Sequence, residues 1–316
     1  MSGRGGGAVA PRIAGAALAS AAAVAVVLAA ALFLAGCGNP VDEGSGVPGS
    51  GSTSTPAVIA ETSFLADIAQ NVAGDRLQVS SILPIGSDPH SFDPTPRDAA
   101  KVAKADAVII NSSGFEPPID KLIAGAGSKD LLVIDASAGL PDAQTDPHFW
   151  LDPAMVITYV DNIRAGLTAV DPAGAGIYST NAAAYEQRLR ELDAGIAERV
   201  ATIPAARRLL VTNHESFGRF AARYGFTVVG TILPSAESEA APSARGLSAL
   251  IKAIKATGAP AIFLETGNSP DIADQLARET GIKVITDLRT HSLGPGAETY
   301  VDMMRWNVDH IVEALK

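Results

Sequence analysis

Short apolar runs alternate with segments of helical periodicity along the first half of the chain. The runs predict strands at AVIAE (57–61), LQVSSILP (77–84), DAVIINS (106–112) and LLVIDAS (131–137). The segments between them predict helices at SFLADIAQNVAG (63–74), TPRDAAKVAKA (95–105) and PPIDKLIAGAG (117–127). Continuous apolar strands separated by helices are typical of a parallel sheet with both faces covered.

The pattern becomes helical after Asp152, and the longest helical segment carries a single apolar stripe. Its apolar and aromatic positions, at spacings of three, four and seven, are Tyr178, Tyr185, Leu189, Leu192, Ile196 and Val200. Asp171-Pro172 is a typical N-cap and first-turn pair, so we predict a helix over 172–203, about 48 Å long. Because this length exceeds the width of a small domain, we expect the helix to join two lobes.

A second alternating block follows the long helix. Its predicted strands are RRLLVTN (207–213), FTVVGTIL (226–233), AIFLET (261–266) and KVITDL (283–288). Its predicted helices are ARGLSALIKAIKATG (244–258), SPDIADQLARETG (269–281) and TYVDMMRWNVDHIVEALK (299–316). The sequence therefore predicts an α/β fold of two lobes with mostly parallel sheets, an N-terminal lobe (57–171) and a C-terminal lobe (204–316), joined by one long rigid helix (172–203).

The N-terminus is typical of an exported lipoprotein. Two arginines precede a nearly continuous apolar run from Ala14 to Leu34, which ends in Leu-Ala-Gly-Cys. We predict that residues 1–36 are a lipoprotein signal peptide and that Cys37 is the lipidated first residue of the mature chain. A transmembrane anchor is the alternative, because about 20 apolar residues can span a bilayer. Residues 37–56, rich in Gly, Ser, Pro and Thr, are predicted to be a flexible tether.

Charge and cysteine content narrow the possible partners. Removing the signal peptide leaves 22 basic residues against 34 acidic ones, a formal charge of −12. Such an acidic chain lacks the basic surface that nucleic acid requires, so we expect no nucleic-acid partner. Cys37 is the single cysteine, so a metal site would have to use nitrogen and oxygen ligands.

Histidine is rare in this chain and its placement is not random. Four of the five histidines follow predicted strands, namely His90, His148, His214 and His291. The carboxyl ends of parallel strands border the ligand crevice of α/β sheets, so we expect these four side chains to meet between the lobes. The fifth, His310, falls inside the last predicted helix, and we interpret it as structural.

Two of these histidines lie in a repeated phrase, SDPHSFDPTP (87–96) and TDPHFWLDP (145–153). The proline restricts the backbone before each histidine and so fixes the direction of the imidazole. Asp88 and Asp146 have two possible roles, as acceptors that orient the imidazole rings or as caps of the local turn.

Motifs of enzymes are missing from the sequence. It contains no His-Glu-x-x-His zinc hydrolase motif, no Gly-x-Ser-x-Gly nucleophile elbow and no phosphate-binding Gly-x-x-x-x-Gly-Lys-Ser/Thr loop. Four protein ligands would also leave a metal without an open position for water. We therefore predict no catalytic residues and no enzymatic activity.

Longer phrases carry a family resemblance that covers the chain from Val58 to Leu315. They are SDPHSFDPTPRD, DPHFWLDP, DPAGAGIYSTNAAAYEQRLRELD, TNHESFGRFAARYGF, IFLETGNSPDIADQLARETG and TYVDMMRWNVDHIV. Together they resemble the metal-binding solute-binding lipoproteins of bacterial ABC transporters, the cluster A-I family of zinc and manganese receptors. The resemblance implies two α/β lobes, a rigid connecting helix and one divalent metal in the cleft between the lobes.

The resemblance also implies a set of metal ligands. The first three ligand positions of the family fall on His90, His148 and His214, and histidine at the third position resembles the zinc-type members. The family usually has Asp at the fourth position, where counting from Gly281 places His291. Asp287, four residues earlier, is the alternative fourth ligand.

The resemblance implies an extracytoplasmic receptor that captures a divalent metal, zinc in our prediction, and delivers it to an ABC permease for import. A manganese or iron receptor, with Asp287 and Glu265 as oxygen ligands, is the alternative. A metal-dependent hydrolase and an adhesin with a structural metal are further alternatives. We expect a monomer held at the outer face of the cell membrane by its lipid, with the permease subunits as partners.

Overall fold

A computed structural model describes residues 55–111, 117–141, 145–233, 242–265 and 270–316. The predicted signal peptide, Cys37 and all but the last two residues of the predicted tether lie outside these ranges. Within the described ranges, the helices are all too short or too polar to cross a membrane.

The N-terminal lobe is a four-stranded parallel sheet with helices on its faces. The strands are β1 (Val58–Ala60), β2 (Val79–Ser81), β3 (Ala107–Ile110) and β4 (Leu132–Asp135), in the spatial order β2-β1-β3-β4. The helices are α1 (Ser63–Ala73), α2 (Pro96–Val102), α3 (Pro117–Ala126) and α4 (Pro153–Val170). All residues of β1 and β3 are buried, as their unbroken apolar sequences predict.

The start of α2 shows how the sequence specifies a helix end. Thr95 Oγ1 accepts a hydrogen bond from Asp98 N, and the Asp98 carboxylate accepts one from Thr95 N. This reciprocal capping box satisfies two amide groups that have no partner inside the helix. Pro96 occupies the first turn, where its missing N–H costs nothing. The helix start predicted from these residues is confirmed.

The connecting helix, α5 (Ala175–Ala201), is 27 residues long, which corresponds to about 40 Å. The six stripe residues predicted from the sequence are all buried along it. The predicted start at Pro172 opens as a 3-10 turn (Pro172–Gly174) before the helix, and Asp171 stands at the N-cap of that turn, as the sequence predicts. Its carboxylate accepts hydrogen bonds from Arg76 Nε at 2.7 Å and from the Tyr178 hydroxyl at 2.6 Å. A charged donor is a stronger partner than a backbone amide, so these contacts hold the Asp171 carboxylate at the start of the connecting helix.

The C-terminal lobe repeats the topology of the first. Strands β5 (Leu209–Thr212), β6 (Thr227–Thr231), β7 (Ala261–Glu265) and β8 (Lys283–Leu288) form a parallel sheet in the order β6-β5-β7-β8. The helices are α6 (Gly218–Tyr224), α7 (Ala244–Thr257), α8 (Asp271–Thr280) and α9 (Tyr300–Leu315). The sequence did not predict α6, whose seven residues are too few to establish a periodicity.

Both lobes pack on the connecting helix to form a continuous hydrophobic core. One cluster of buried residues extends from α1 and α4, across α5, to α6 and α9. Smaller clusters cover the opposite face of each sheet. The last helix also contacts both lobes, since Tyr300 N donates to Asp67 of α1 at 2.9 Å. The predicted fold class, two α/β lobes with parallel sheets joined by a long helix, is therefore confirmed.

Candidate metal centre

Four histidine side chains converge in the cleft between the lobes. They are His90, His148, His214 and His291, each of which offers a ring nitrogen, and these nitrogens all lie within 4.8 Å of one another. The ring centroids are separated by 4.9 to 6.0 Å in every pair. Two chain segments from each lobe therefore supply one cluster, as the strand-end positions predict.

Two of the nitrogen–nitrogen distances match the edge of a tetrahedral metal site, and all four nitrogens lie within 4.8 Å of one another. Nε2 of His90 lies 3.3 Å from Nε2 of His291, and Nε2 of His148 lies 3.4 Å from Nε2 of His214. A tetrahedron with metal–nitrogen bonds of 2.0–2.1 Å has edges of about 3.3–3.4 Å. The donor set therefore fits a small divalent cation that prefers imidazole.

The two histidines of the N-terminal lobe, His90 and His148, are each held by a local frame, which is the aspartate two residues earlier in the same turn. Asp88 Oδ1 accepts a hydrogen bond from His90 N at 3.0 Å, which caps the single 3-10 turn that carries the histidine. Asp146 Oδ1 accepts from His148 N at 3.1 Å and also lies 2.9 Å from Nδ1 of the same residue. Asp88 thus has the turn-capping role, and Asp146 combines turn capping with orientation of the ring.

The C-terminal pair is held by one shared carboxylate. Glu265, the last residue of β7, has Oε1 3.1 Å from Nδ1 of His214 and Oε2 3.1 Å from Nδ1 of His291. Two hydroxyls donate to the same carboxylate, from Ser216 at 2.9 Å and from Thr290 at 2.6 Å. A ring nitrogen that is fixed by a carboxylate leaves the other ring nitrogen of the same imidazole directed at the cluster.

Burial favours the neutral imidazoles that a metal requires. Burial lowers the pKa of His148 to about 4, although Asp146 opposes this shift. Burial also lowers the pKa of His291, against the opposing effect of Glu265. Burial raises the pKa of Glu265, but the facing imidazoles of His214 and His291 outweigh burial and hold that pKa well below its ordinary value. The centre thus contains an ionised carboxylate beside two imidazoles, His148 and His291, whose protonation burial opposes, which suits a dication.

The segment that carries His291 is bonded to the opposite lobe. The indole N–H of Trp150 donates to Thr290 O at 2.5 Å, and Leu293 N donates to Ser63 Oγ at 2.9 Å. Gly86 N donates to Ser292 Oγ at 2.6 Å. These contacts fix the His291 loop against the N-terminal lobe, so its position depends on both lobes.

The other candidates from the sequence lie elsewhere. Asp287 has a left-handed backbone (φ 74°) and a half-exposed carboxylate that lies 3.7 Å from Arg289. It is not a member of the four-histidine cluster. His310 lies in α9, with Nδ1 2.8 Å from Trp306 O, in the structural position that the sequence predicted.

A cavity of about 200 Å³ adjoins the cluster. Two loops line it, residues 85–88 of the N-terminal lobe and residues 288–295 of the C-terminal lobe. His291 and Glu265 form part of its wall. Three of the four clustered histidines are buried, whereas His90 is partly exposed.

Sequence reasoning missed the residues that support the centre from a distance. Arg219 of α6 donates to Asp146 O at 2.8 Å and lies over the ring of Phe149, and so holds the His148 loop from the opposite lobe. The contacts of Ser216 and Thr290 with Glu265 were not predicted either. Their positions in sequence give no signal, because each acts on a partner that only the fold brings near.

The fold and the centre together define a class of protein, a two-lobed solute-binding protein that holds a divalent metal in its cleft. Comparison with known proteins gives the family. The protein-family model described as zinc-uptake complex component A, periplasmic (ZnuA), matches residues 58–314, so this chain belongs to the ZnuA family. Family membership confirms a non-enzymatic, extracytoplasmic metal-binding component of an ABC transporter.

Individual relatives differ in the metal that their names give. The chain is 34% identical over 297 residues to the manganese-binding lipoprotein MntA of Halalkalibacterium halodurans, covering 92% of this chain and 97% of that protein. It is 33% identical to the iron-binding protein YfeA of Yersinia pestis, covering 81% and 85%. The structure of the periplasmic zinc-binding protein TroA of Treponema pallidum aligns with a TM-score of 0.76 at 26% identity, covering 83% and 99%.

Proposed function

We propose that this chain captures one zinc ion between its lobes and delivers it to the permease of an ABC importer. Nε2 atoms of His90, His148, His214 and His291 are the four ligands in this proposal. The observation that carries it is the composition of the cluster, four imidazole nitrogens and, among the residues that the structure describes, no oxygen ligand. Imidazole suits zinc, whereas manganese prefers carboxylate and water oxygen.

The surroundings of the cluster also favour zinc over manganese. Both oxygens of Glu265 face Nδ1 atoms behind the rings, so they are engaged on the side away from the centre. The Asp287 carboxylate is directed to Arg289 and solvent. A manganese site would require one of these carboxylates to leave its present partners. Four protein ligands also leave no position for a reactive water, which suits capture and transport.

A manganese or iron receptor is the second candidate. It is favoured by the names of two relatives, the manganese-binding MntA and the iron-binding YfeA. Affinity for divalent metals is generally lower for manganese and iron than for zinc, and imidazole ligands suit zinc. The two candidates therefore predict opposite orders of affinity.

Metal competition tests the proposal directly. We expect one equivalent of zinc per chain in protein purified without chelator, and displacement of bound manganese by zinc at equal free concentration. His214→Ala should lose most of this binding, and His310→Ala, which removes a histidine outside the cluster, should retain it. Preferential binding of manganese at equal free metal would reject the zinc assignment and leave the manganese candidate.

The attachment to the membrane belongs to the same proposal. In this proposal, residues 1–36 are removed as a signal peptide, and lipid on Cys37 anchors the chain at the outer face of the cell membrane. Residues 37–56 then connect this anchor to the folded lobes. Cys37→Ala should release the protein from the membrane or block its processing. Membrane-bound mutant protein, together with residues 1–36 retained on the wild-type chain, would support the transmembrane alternative.

A further inference from the structure

The carboxylate of Glu265 lies behind two imidazoles of the centre, in contact with both. Its two oxygens are each 3.1 Å from an Nδ1 atom, one on His214 and one on His291. The side chain is 4% exposed, so water hardly competes for these contacts. The two rings are nearly parallel, with 5.2 Å between centroids and an interplanar angle of 22°.

The hydroxyls beside this carboxylate establish where the imidazole protons lie. Ser216 Oγ and Thr290 Oγ1 both donate to Glu265, one to each oxygen. An ionised carboxylate accepts hydrogen bonds and has no proton to give. If Nδ1 of either ring lacked its proton, its lone pair would face the negative carboxylate at 3.1 Å in a buried site, which is repulsive. Thr290 Oγ1 also lies 2.9 Å from Nδ1 of His291, but its single hydrogen is donated to Glu265 at 2.6 Å. Both Nδ1 atoms therefore carry the proton.

A proton on Nδ1 determines what the opposite side of each ring offers. A neutral imidazole has a single N–H, so Nε2 of His214 and of His291 is left with a free lone pair. Both Nε2 atoms face the cluster, 3.4 Å from His148 and 3.3 Å from His90 respectively. We propose, on the basis of the zinc-capture function above, that Glu265 is a positioning residue that sets the tautomers of His214 and His291 together.

The shared carboxylate makes the two ligands interdependent. Glutamine has nearly the same shape as glutamate, but its amide has one oxygen and one NH₂ group. The oxygen can accept from one Nδ1–H, whereas the NH₂ group must face a ring nitrogen without a proton. Glu265→Gln therefore forces one imidazole into the Nε2–H tautomer, whose N–H then points at the metal position and blocks coordination.

The tautomers can be measured on the metal-free protein by long-range ¹H–¹⁵N spectra of histidine labelled with ¹⁵N in the ring. Single histidine substitutions assign the five residues. We expect Nδ1–H on both His214 and His291 in the wild type, and one of the two as Nε2–H in Glu265→Gln. An Nε2–H form of either ring in the wild type, or unchanged tautomers in the variant, would overturn the proposal.

Two further variants separate positioning from general structural support. Glu191→Gln makes the same chemical change on the exposed face of α5 and should leave all tautomers and the zinc affinity as in the wild type. Thr290→Val removes the hydroxyl that donates to Glu265 and lies 2.9 Å from Nδ1 of His291, but it keeps the negative charge of Glu265, so both rings should remain Nδ1–H. A change of tautomer in Thr290→Val equal to that in Glu265→Gln would mean that the hydroxyl, not the carboxylate, sets the ring.

Metal binding provides the second readout. Zinc affinity should fall about 10- to 100-fold in Glu265→Gln, the range for a residue that orients a ligand. X-ray absorption of the zinc-loaded protein should count four imidazoles in the wild type and three in the variant. The wild-type tautomers are read without metal, so they test the role of Glu265 even if zinc capture itself is disproved.

Discussion

The two lobes hold their imidazoles in different ways. In the N-terminal lobe, His90 and His148 are each bonded by an aspartate two positions earlier in the chain. In the C-terminal lobe, His214 and His291 share Glu265, which lies on a different strand from both. A local frame fixes one ligand independently of the others, whereas a shared carboxylate makes two ligands depend on one residue.

The largest expected effect on zinc affinity comes from two single substitutions, one in each lobe, that each remove an imidazole. His148→Ala and His214→Ala should each weaken zinc binding at least hundredfold, about 2.7 kcal/mol, because each deletes a direct ligand. His214→Ala also removes a donor to the buried Glu265 carboxylate, so its thermal stability without metal should change more than that of His148→Ala. Calorimetric titration and thermal unfolding measure both quantities, with His310→Ala as the control.

Acid should destabilise the metal-free protein through the buried imidazoles. Burial lowers the pKa of His148 to about 4, below its unfolded value near 6.5. Between these values the unfolded chain binds a proton that the folded chain refuses, so stability falls as pH falls. This residue alone should cost about 2 kcal/mol between pH 7 and pH 4.5.

Urea unfolding at several pH values tests this effect by difference. Other groups also contribute to the acid response, since burial raises the pKa of the Asp67 and Asp152 carboxyls. The informative quantity is therefore the stability of the wild type minus that of His148→Asn, which should decrease towards acid pH. A difference that is independent of pH would contradict the burial effect.

Substitution of the fourth ligand discriminates His291 from Asp287. His291→Ala should weaken zinc binding at least tenfold, about 1.4 kcal/mol, because its Nε2 lies in the cluster. Asp287→Ala should cost less, because its carboxylate faces Arg289 and solvent. The opposite ranking would mean that an oxygen ligand moves in when metal binds.

The smallest expected effect concerns the local frame of His148. Asp146→Asn keeps an oxygen that can accept the Nδ1–H of a single imidazole, so zinc affinity should fall less than tenfold. This loss of zinc affinity should be smaller than the loss in Glu265→Gln, because the glutamine offers one acceptor oxygen to the Nδ1–H groups of two imidazoles. Equal losses in isothermal titration would remove the difference between the lobes.

The helices and strands were largely predictable because their signals are local. The Thr95-Pro96 start of α2 and the buried stripe of α5 follow from neighbouring residues and from periodicity. Local signals also placed Asp171 at the N-cap position before the long helix, but they did not indicate the partner of its carboxylate. That partner, Arg76, is distant in sequence, so no local pattern reports the ion pair.

By itself, the sequence determined that four histidines follow strands and that two of them stand in Asp-Pro-His frames. Strand ends and X-Pro turns are specified by contiguous residues, so these positions can be read from a single chain. The tertiary structure alone decided that a carboxylate at the end of β7 lies between His214 and His291, and that Trp150 holds the His291 loop. Such contacts arise because packing brings distant strands and loops within hydrogen-bonding distance, and local sequence does not encode that distance.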